Sequence, residues 1–201
     1  MNLPTEQQCL NFFKQYKVPQ NILRHCQKVR QVAVFLAKKL REKGVALNVD
    51  LVDRTALLHD LLKMVSIKDP TANKYHQDYK LSAEELAMWK QLREKYKDMY
   101  EGQVAYEIFK DNYPELALTL KRASDPRNRT QTWEELVVHY ADWRVFKDKV
   151  VSLQERLIYL REAYPREEAV WQEYSQFMFQ QEQKLMKTIK MNPEELAKAV
   201  P

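Results

Sequence analysis

The segment NILRHCQKVRQVAVFLAKKL, residues 21–40, decides the fold class. Its apolar residues Ile22, Val29, Val32, Ala33, Leu36 and Leu40 return with the period of a helix, so they form one buried stripe rather than the alternating faces of a strand. His25 falls on that stripe, one turn before Val29, and is expected to point inward. Working outward, capping chemistry marks further helix starts. An N-cap oxygen followed three residues later by Glu satisfies backbone N–H groups that the helix leaves unpaired. Ser82 with Glu85, Thr132 with Glu135, Ser152 with Glu155, and Asn192 with Pro193 and Glu195 fit this pattern, and Asn48 with Asp50 gives a weaker start. Helices are predicted near 5–16, 20–43, 48–64, 82–97, 100–112, 114–123, 132–148, 152–163, 166–190 and 192–199. Glycine occurs only twice, and no run of short alternating segments is punctuated by turn pairs. That excludes sandwiches, barrels and glycine-loop nucleotide folds. The expected class is all-α.

A chain of 201 residues, 45% of them hydrophobic, suits one well-buried core and is short for two. The expected organisation is therefore one compact domain: residues 1–165 form the main helical body, and the helices of 166–201 pack on it as a C-terminal extension. The net charge of +5 favours anionic partners, but charged residues of both signs make up 30% of the chain, the mark of an ordinary solvated surface. Cys9 and Cys26 form no CxxC pair and are expected to be free thiols, neither a metal ligand. The N-terminus MNLPTEQQCLNFFKQYK lacks the apolar run of a signal peptide, and no stretch approaches the ~18 apolar residues of a membrane span. A cytoplasmic protein with no membrane partner is expected.

Polar residues on apolar helix faces carry the chemistry. In RTALLHDLLK, residues 54–63, His59 is surrounded by Val52, Thr55, Ala56, Leu58 and Leu62, with Asp60 about 100° round the helix from it. The two can face one point only near a helix end, and the helix is expected to stop at Val65 or Ser66. In VVHYADWRVF, Asp142 lies between Val138 and Val145 on a helix otherwise apolar on that side. An isolated buried carboxylate costs several kcal/mol unless paired or bound to a cation. Each residue taken singly fits an ordinary core or capping role. Together, two imidazoles and two carboxylates from three helices make a mixed N/O set suited to one divalent ion, Mn, Fe, Co, Ni, Zn or Mg, with positions left for water and substrate.

These three segments, NILRHCQKVRQVAVFLAKKL, NVDLVDRTALLHDLLK and VVHYADWRVFKDKVVSLQERLIYL, resemble the signature segments of the HD-domain metal-dependent phosphohydrolases over about residues 18–164. The resemblance implies an HD-type all-helical fold. It places His25, His59, Asp60 and Asp142 as the metal ligands, and it implies hydrolysis of a phosphate ester, commonly of a nucleotide. The extra histidines of two-metal members are missing: Glu101 and Ala123 or Ser124 stand where they often occur, so one ion is expected. The glutamate of the nucleoside monophosphatase branch is also replaced, by Lys63.

Catalytic roles are thus expected for Asp60 and Lys63. Lys63 would neutralise a phosphate, or else serve as a C-terminal lysine against the helix dipole. Lys63, His76, Arg127, Arg129 and Arg144 are the candidate contacts to a small anionic phosphorylated substrate, with His76 in the long segment 65–81 and the basic run KRASDPRNR drawing the anion in. His139, one turn before Asp142, orients that residue or simply packs. Asp60 and Asp142 are expected to repel each other without metal. In the C-terminal helix Val170, Tyr174, Phe177, Met178, Leu185 and Ile189 form an apolar stripe, read as packing on the same domain, with a homodimer as the alternative. The aromatics Trp171, Phe177 and Phe179 could line a base pocket, a weaker reading. Two other functional classes stay open: a degenerate module that binds nucleotide or metal as a sensor without turnover, and a basic helical adaptor for nucleic acid.

Overall fold

The structure, a computed structural model, describes residues 1–67, 80–125 and 127–200. Among these the fold is all-α. The helices are α1 (Glu6–Gln15), α2 (Gln20–Glu42), α3 (Val49–Leu58), α4 (Lys63–Ser66), α5 (Ala83–Lys95), α6 (Glu101–Phe109), α7 (Pro114–Ala123), α8 (Trp133–Trp143), α9 (Leu153–Ala163), α10 (Glu168–Ile189) and α11 (Leu196–Ala199). The caps expected at Ser82, Thr132, Ser152 and Asn192 are all made, each side chain accepting a backbone N–H while the Glu three residues on reaches back. Thr5 and Gln8 form a further such box at α1, and Asn48 accepts from the N–H groups of Asp50 and Leu51. No helix among the described residues is long and apolar enough to cross a membrane.

Two predicted helices end early, and both endings serve the site. The helix expected over 48–64 stops at Leu58, and residues 59–62 form tight turns, with Leu61 N–H donating to Leu58 and Lys63 N–H to Asp60, before α4 begins. His59, still with helical φ and ψ, caps α3, and Asp60 follows it in the turn. The helix expected over 132–148 stops at Trp143 and gives way to a hairpin, β1 (Val145–Phe146) antiparallel to β2 (Lys149–Val150), with Val145 opposite Val150. Lys147 at the hairpin tip takes a left-handed backbone, φ 56°. Sequence periodicity cannot register so short a hairpin, because its strands offer too few alternations.

Helix α2 runs between two hydrophobic clusters. One joins Val29, Val32, Leu36 and Leu40 to Val52 and Ala56 of α3, to α8, and to Met178, Leu185 and Ile189 of α10. The other joins Cys26 to Phe13, Leu57, Leu61, Trp89 and Phe109. Cys9 and Cys26 are buried free thiols. The apolar stripe of α10 thus packs within its own chain, against α2, α8 and α9. Gly102 lets α6 close on α7: a Cβ there would lie 2.6 Å from the Tyr100 ring and 3.3 Å from the Lys121 Cα. Glu101, at the start of α6, meets Lys63 and Ser66 of α4.

Candidate metal centre

His25 from α2, His59 and Asp60 from the turn after α3, and Asp142 from the last turn of α8 converge between the two clusters. His25 Nδ1 donates to the Lys147 carbonyl at 2.8 Å, and His59 Nδ1 donates to the Ala56 carbonyl at 2.8 Å. Carbonyls only accept, so both Nδ1 atoms must carry hydrogen, and in the neutral ring the free lone pair is on Nε2. Those Nε2 atoms face the same carboxylate: His25 Nε2 is 3.0 Å and His59 Nε2 3.6 Å from Asp142 Oδ1. Asp60 Oδ2 lies 3.9 Å from His25 Nε2 and 3.7 Å from His59 Nε2. His59 Nε2 is buried and has no hydrogen-bond partner among the described residues.

The donor set fits a divalent ion. Ligand atoms of His25, His59 and Asp142 all lie within 4.8 Å of one another. Ligands about 2.1 Å from a shared ion are themselves ~3–4 Å apart, and a backbone carbonyl on the other imidazole nitrogen is the usual way such rings are oriented. The orphaned Nε2 of His59 is the atom such an ion would satisfy. Asp60 stands at the rim of this trio, close to both rings but outside the mutually spaced set.

Cations separate the two carboxylates that were expected to repel. Burial works against charge on His59, but Asp60 and Asp142 hold its imidazolium well above the ordinary range. Burial pushes Asp60 up, but Lys63 and His59 more than offset it and lower the carboxyl. Asp142 is likewise raised by burial but held well below the carboxylate range by the His25 hydrogen bond and by the nearby His59 and Arg156. Asp60 in turn raises Lys63 well above its usual value. Asp142 does raise Asp60, as expected of two facing carboxylates, but the cations around the pair outweigh that repulsion.

The four residues line part of a cavity of about 950 Å³. Lys63 lines it, with Nζ 3.6 Å from Asp60 Oδ1 and 3.2 Å from Glu101 Oε1. Arg127 also lines it, largely exposed and 3.4 Å from Asp125. Two other expected contacts lie elsewhere. Arg144 is 2% exposed and absent from the cavity wall; it donates to the carbonyls of Val151 and Pro193, to Glu182 and to the Tyr140 hydroxyl. It is a buried tie between α8 and the C-terminal helices, because the hairpin that follows turns its side chain inward. Arg129 also falls outside the wall, paired with Glu173 and stacked 4.4 Å from the Phe177 ring centre. His139 packs between Trp143 and Phe177, accepts from Gln131, and is pulled down to about 4 by burial. His76 lies outside the described residues.

Arg156 escaped the sequence. Its Nη2 lies 3.6 Å from Asp142 Oδ1, its guanidinium stacks 5.0 Å from the Tyr159 ring centre, its Nε has no partner among the described residues, and it lines the cavity. No local pattern distinguishes it from a surface arginine, because only the hairpin at 145–150 folds α9 back over Asp142. Glu101, noted as a substitution, proves to be the partner of Lys63 and accepts from Ser66 Oγ.

No protein-family model, curated protein or solved structure matches this chain. What the site can do rests on its own chemistry.

Proposed function

We propose that the chain is a metal-dependent phosphohydrolase acting on a phosphate ester, most simply a nucleotide or a related small phosphorylated metabolite. The observation that carries this is the pair of imidazoles locked through Nδ1 to backbone carbonyls, turning Nε2 toward Asp142 at the edge of a cavity whose nearest cations are Lys63 and Arg156. The resemblance of the three segments to the HD-domain phosphohydrolases supports the same reading.

A divalent ion held by His25, His59 and Asp142, with Asp60 adjoining, would supply Lewis-acid polarisation and lower the pKa of a bound water. Asp60 Oδ2, at the rim of the trio, accepts a hydrogen bond from the attacking water and aims it at phosphorus. Lys63 Nζ and Arg156 donate to the non-bridging phosphoryl oxygens as charge builds there, each already held by carboxylates so that little reorganisation is needed. Water adds to phosphorus and gives a proton to Asp60, the ester P–O bond breaks, and the leaving oxygen takes up that proton and departs as the alcohol.

Phosphate release from mono-, di-, triphosphate and cyclic nucleotides with Mn, Co, Ni or Mg tests the proposal. Metal-dependent release that His59→Ala abolishes supports it, and no release from any substrate with any metal refutes it. A sensor that binds metal and nucleotide without turnover is the second reading. It is favoured by Lys63, which stands where a carboxylate base would and is already paired with Glu101. Stoichiometric metal binding without phosphate release decides for the sensor.

A further inference from the structure

One polar side chain of the cavity wall takes no part in the metal centre or the phosphoryl contacts. His139 of α8 lines the cavity one helical turn before Asp142, about 5 Å along the axis. Its neighbours are apolar: Trp143 and Phe177 lie 6.1 Å away, ring centre to ring centre, and Val138 and Met178 line the same cavity. Burial pulls the imidazole down to about 4, so near neutral pH the ring is uncharged and carries one N–H.

Two amides decide which nitrogen holds that hydrogen. Gln181 donates to Gln131 Oε1, and this turns the Gln131 amide nitrogen toward the ring, 3.2 Å from His139 Nδ1. Nδ1 therefore accepts, and the hydrogen is on Nε2. Nε2 has no hydrogen-bond partner among the described residues; Gln181 Oε1, which takes no hydrogen bond, is not one. Nor is it sealed from solvent, as His59 Nε2 is. A donor fixed in one tautomer thus opens on the cavity unpaired. Half-buried donors are normally satisfied, and one left open in a cavity wall points to an acceptor carried by the ligand.

The wall also selects the acceptor. An uncharged imidazole holds a phosphate less well than Lys63 or Arg156 does. A bare sugar would set hydroxyls without partners against Trp143 and Phe177. A carbonyl oxygen or a pyridine-type nitrogen on an otherwise apolar body suits both the N–H and its surroundings.

We propose that His139 is a specificity-determining residue for the organic half of the ester, its Nε2–H donating to a neutral carbonyl oxygen or ring nitrogen of a nucleobase-type heterocycle. Gln131 and Gln181 are then positioning residues that hold the tautomer. The inference rests on reading the cavity as the substrate site, but not on turnover.

The test uses nucleosides, which lack phosphate and need no metal. In the full-length protein with ¹⁵N-labelled histidine, the His139 ring is assigned through its contacts to the Trp143 and Phe177 ring protons. Its long-range ¹H–¹⁵N pattern should be that of the Nε2–H tautomer. The Nε2 resonance should move when at least one of adenosine, guanosine, cytidine and uridine is added. Calorimetric titration then compares the monophosphate of the most effective nucleoside with ribose 5-phosphate. The preference for the nucleotide should fall roughly two- to tenfold in His139→Phe, the worth of one neutral hydrogen bond. It should be restored in His139→Gln, whose amide can donate from the place of Nε2. An Nδ1–H tautomer, or an Nε2 resonance that no nucleoside moves, overturns the proposal. So does a preference that survives in a folded His139→Phe, or one lost equally in His139→Gln, the mark of a packing role. The resonance decides if the variants do not fold. Phosphate release assayed separately keeps the two ideas apart: a nucleoside shift in a protein that releases no phosphate sinks only the hydrolase reading, and release without a shift sinks only the His139 contact.

Discussion

Replacing Asp60 with Asn removes one charge at constant volume, and two effects of opposite sign compete. Loss of the repulsion from Asp142 would stabilise the metal-free protein. Loss of attraction to Lys63 Nζ at 3.6 Å and His59 Nε2 at 3.7 Å would destabilise it. At an effective dielectric near 20 each of those contacts is worth about 4–5 kcal/mol before desolvation. Releasing a buried carboxylate returns several kcal/mol, and breaking a buried pair costs a net ~3–5 kcal/mol. Lys63 is 32% exposed, and solvent screening lowers its share, so about 2–3 kcal/mol is expected. For a chain of this length that is a fall of about 4–12 °C in the metal-free Tm. Metal at a hundred times its Kd should raise the wild-type Tm by about 5–11 °C, from ~2.7 kcal/mol of ligand linkage, and the variant should lose at least half of that rise. Calorimetric melts of both proteins with and without Mn measure all four values. If the metal-free variant melts at or above metal-free wild type, repulsion dominates and the ion-pair account is wrong; if the metal-dependent rise is unchanged, Asp60 does not adjoin the ion.

Arg144→Met strands Glu182 in a largely buried site and should cost about 3–5 kcal/mol while leaving KM unaltered; a raised KM at unchanged Tm would return Arg144 to substrate binding. Because Arg127 lines the cavity and Arg129 does not, Arg127→Glu should raise KM and flatten its dependence on ionic strength, and Arg129→Glu should do neither. Indistinguishable salt profiles for the two variants would contradict that placement. His139, with a folded pKa of about 4 against 6.5, is stabilising in its neutral form. Its contribution of order 2–3 kcal/mol is intact above pH 6.5 and is lost as pH falls from there through 4, so His139→Gln should flatten this part of the stability curve in urea titrations, and parallel curves would speak against it. The Cys9 thiol is pushed up to about 11 by burial and Cys26 is also raised, so neither should react with a thiol reagent at pH 8 until denaturant is added. One fast equivalent in the native protein would show an accessible thiol.

Helices with caps and periodic stripes were legible because capping and amphipathicity are local. The boxes at Ser82, Thr132 and Ser152 need only residues within one turn, and the stripe of α2 buries the residues its period marks. The inward histidines and the embedded carboxylate were legible for the same reason, as polar side chains out of place on apolar faces. Their convergence was a hypothesis from their number and type.

Tertiary structure alone decided what each charged residue faces. The turn at 59–62 and the hairpin at 145–150 interrupt helices whose periodicity would have continued through them. Those breaks supply the Lys147 carbonyl that orients His25, send Arg144 into the core, and fold Arg156 over Asp142. A long charged side chain carries no local signal of its partner. Arg144 and Arg156 are both arginines beside apolar residues in the sequence, yet one fastens the C-terminal helices and the other adjoins the candidate metal centre. The pairing of Lys63 with Glu101 depends likewise on the packing of α4 against α6. Composition and periodicity thus determine which segments become helices and which side chains turn inward. Which carboxylates, imidazoles and guanidiniums meet depends on chain reversals of a few residues, too short for any period to reveal.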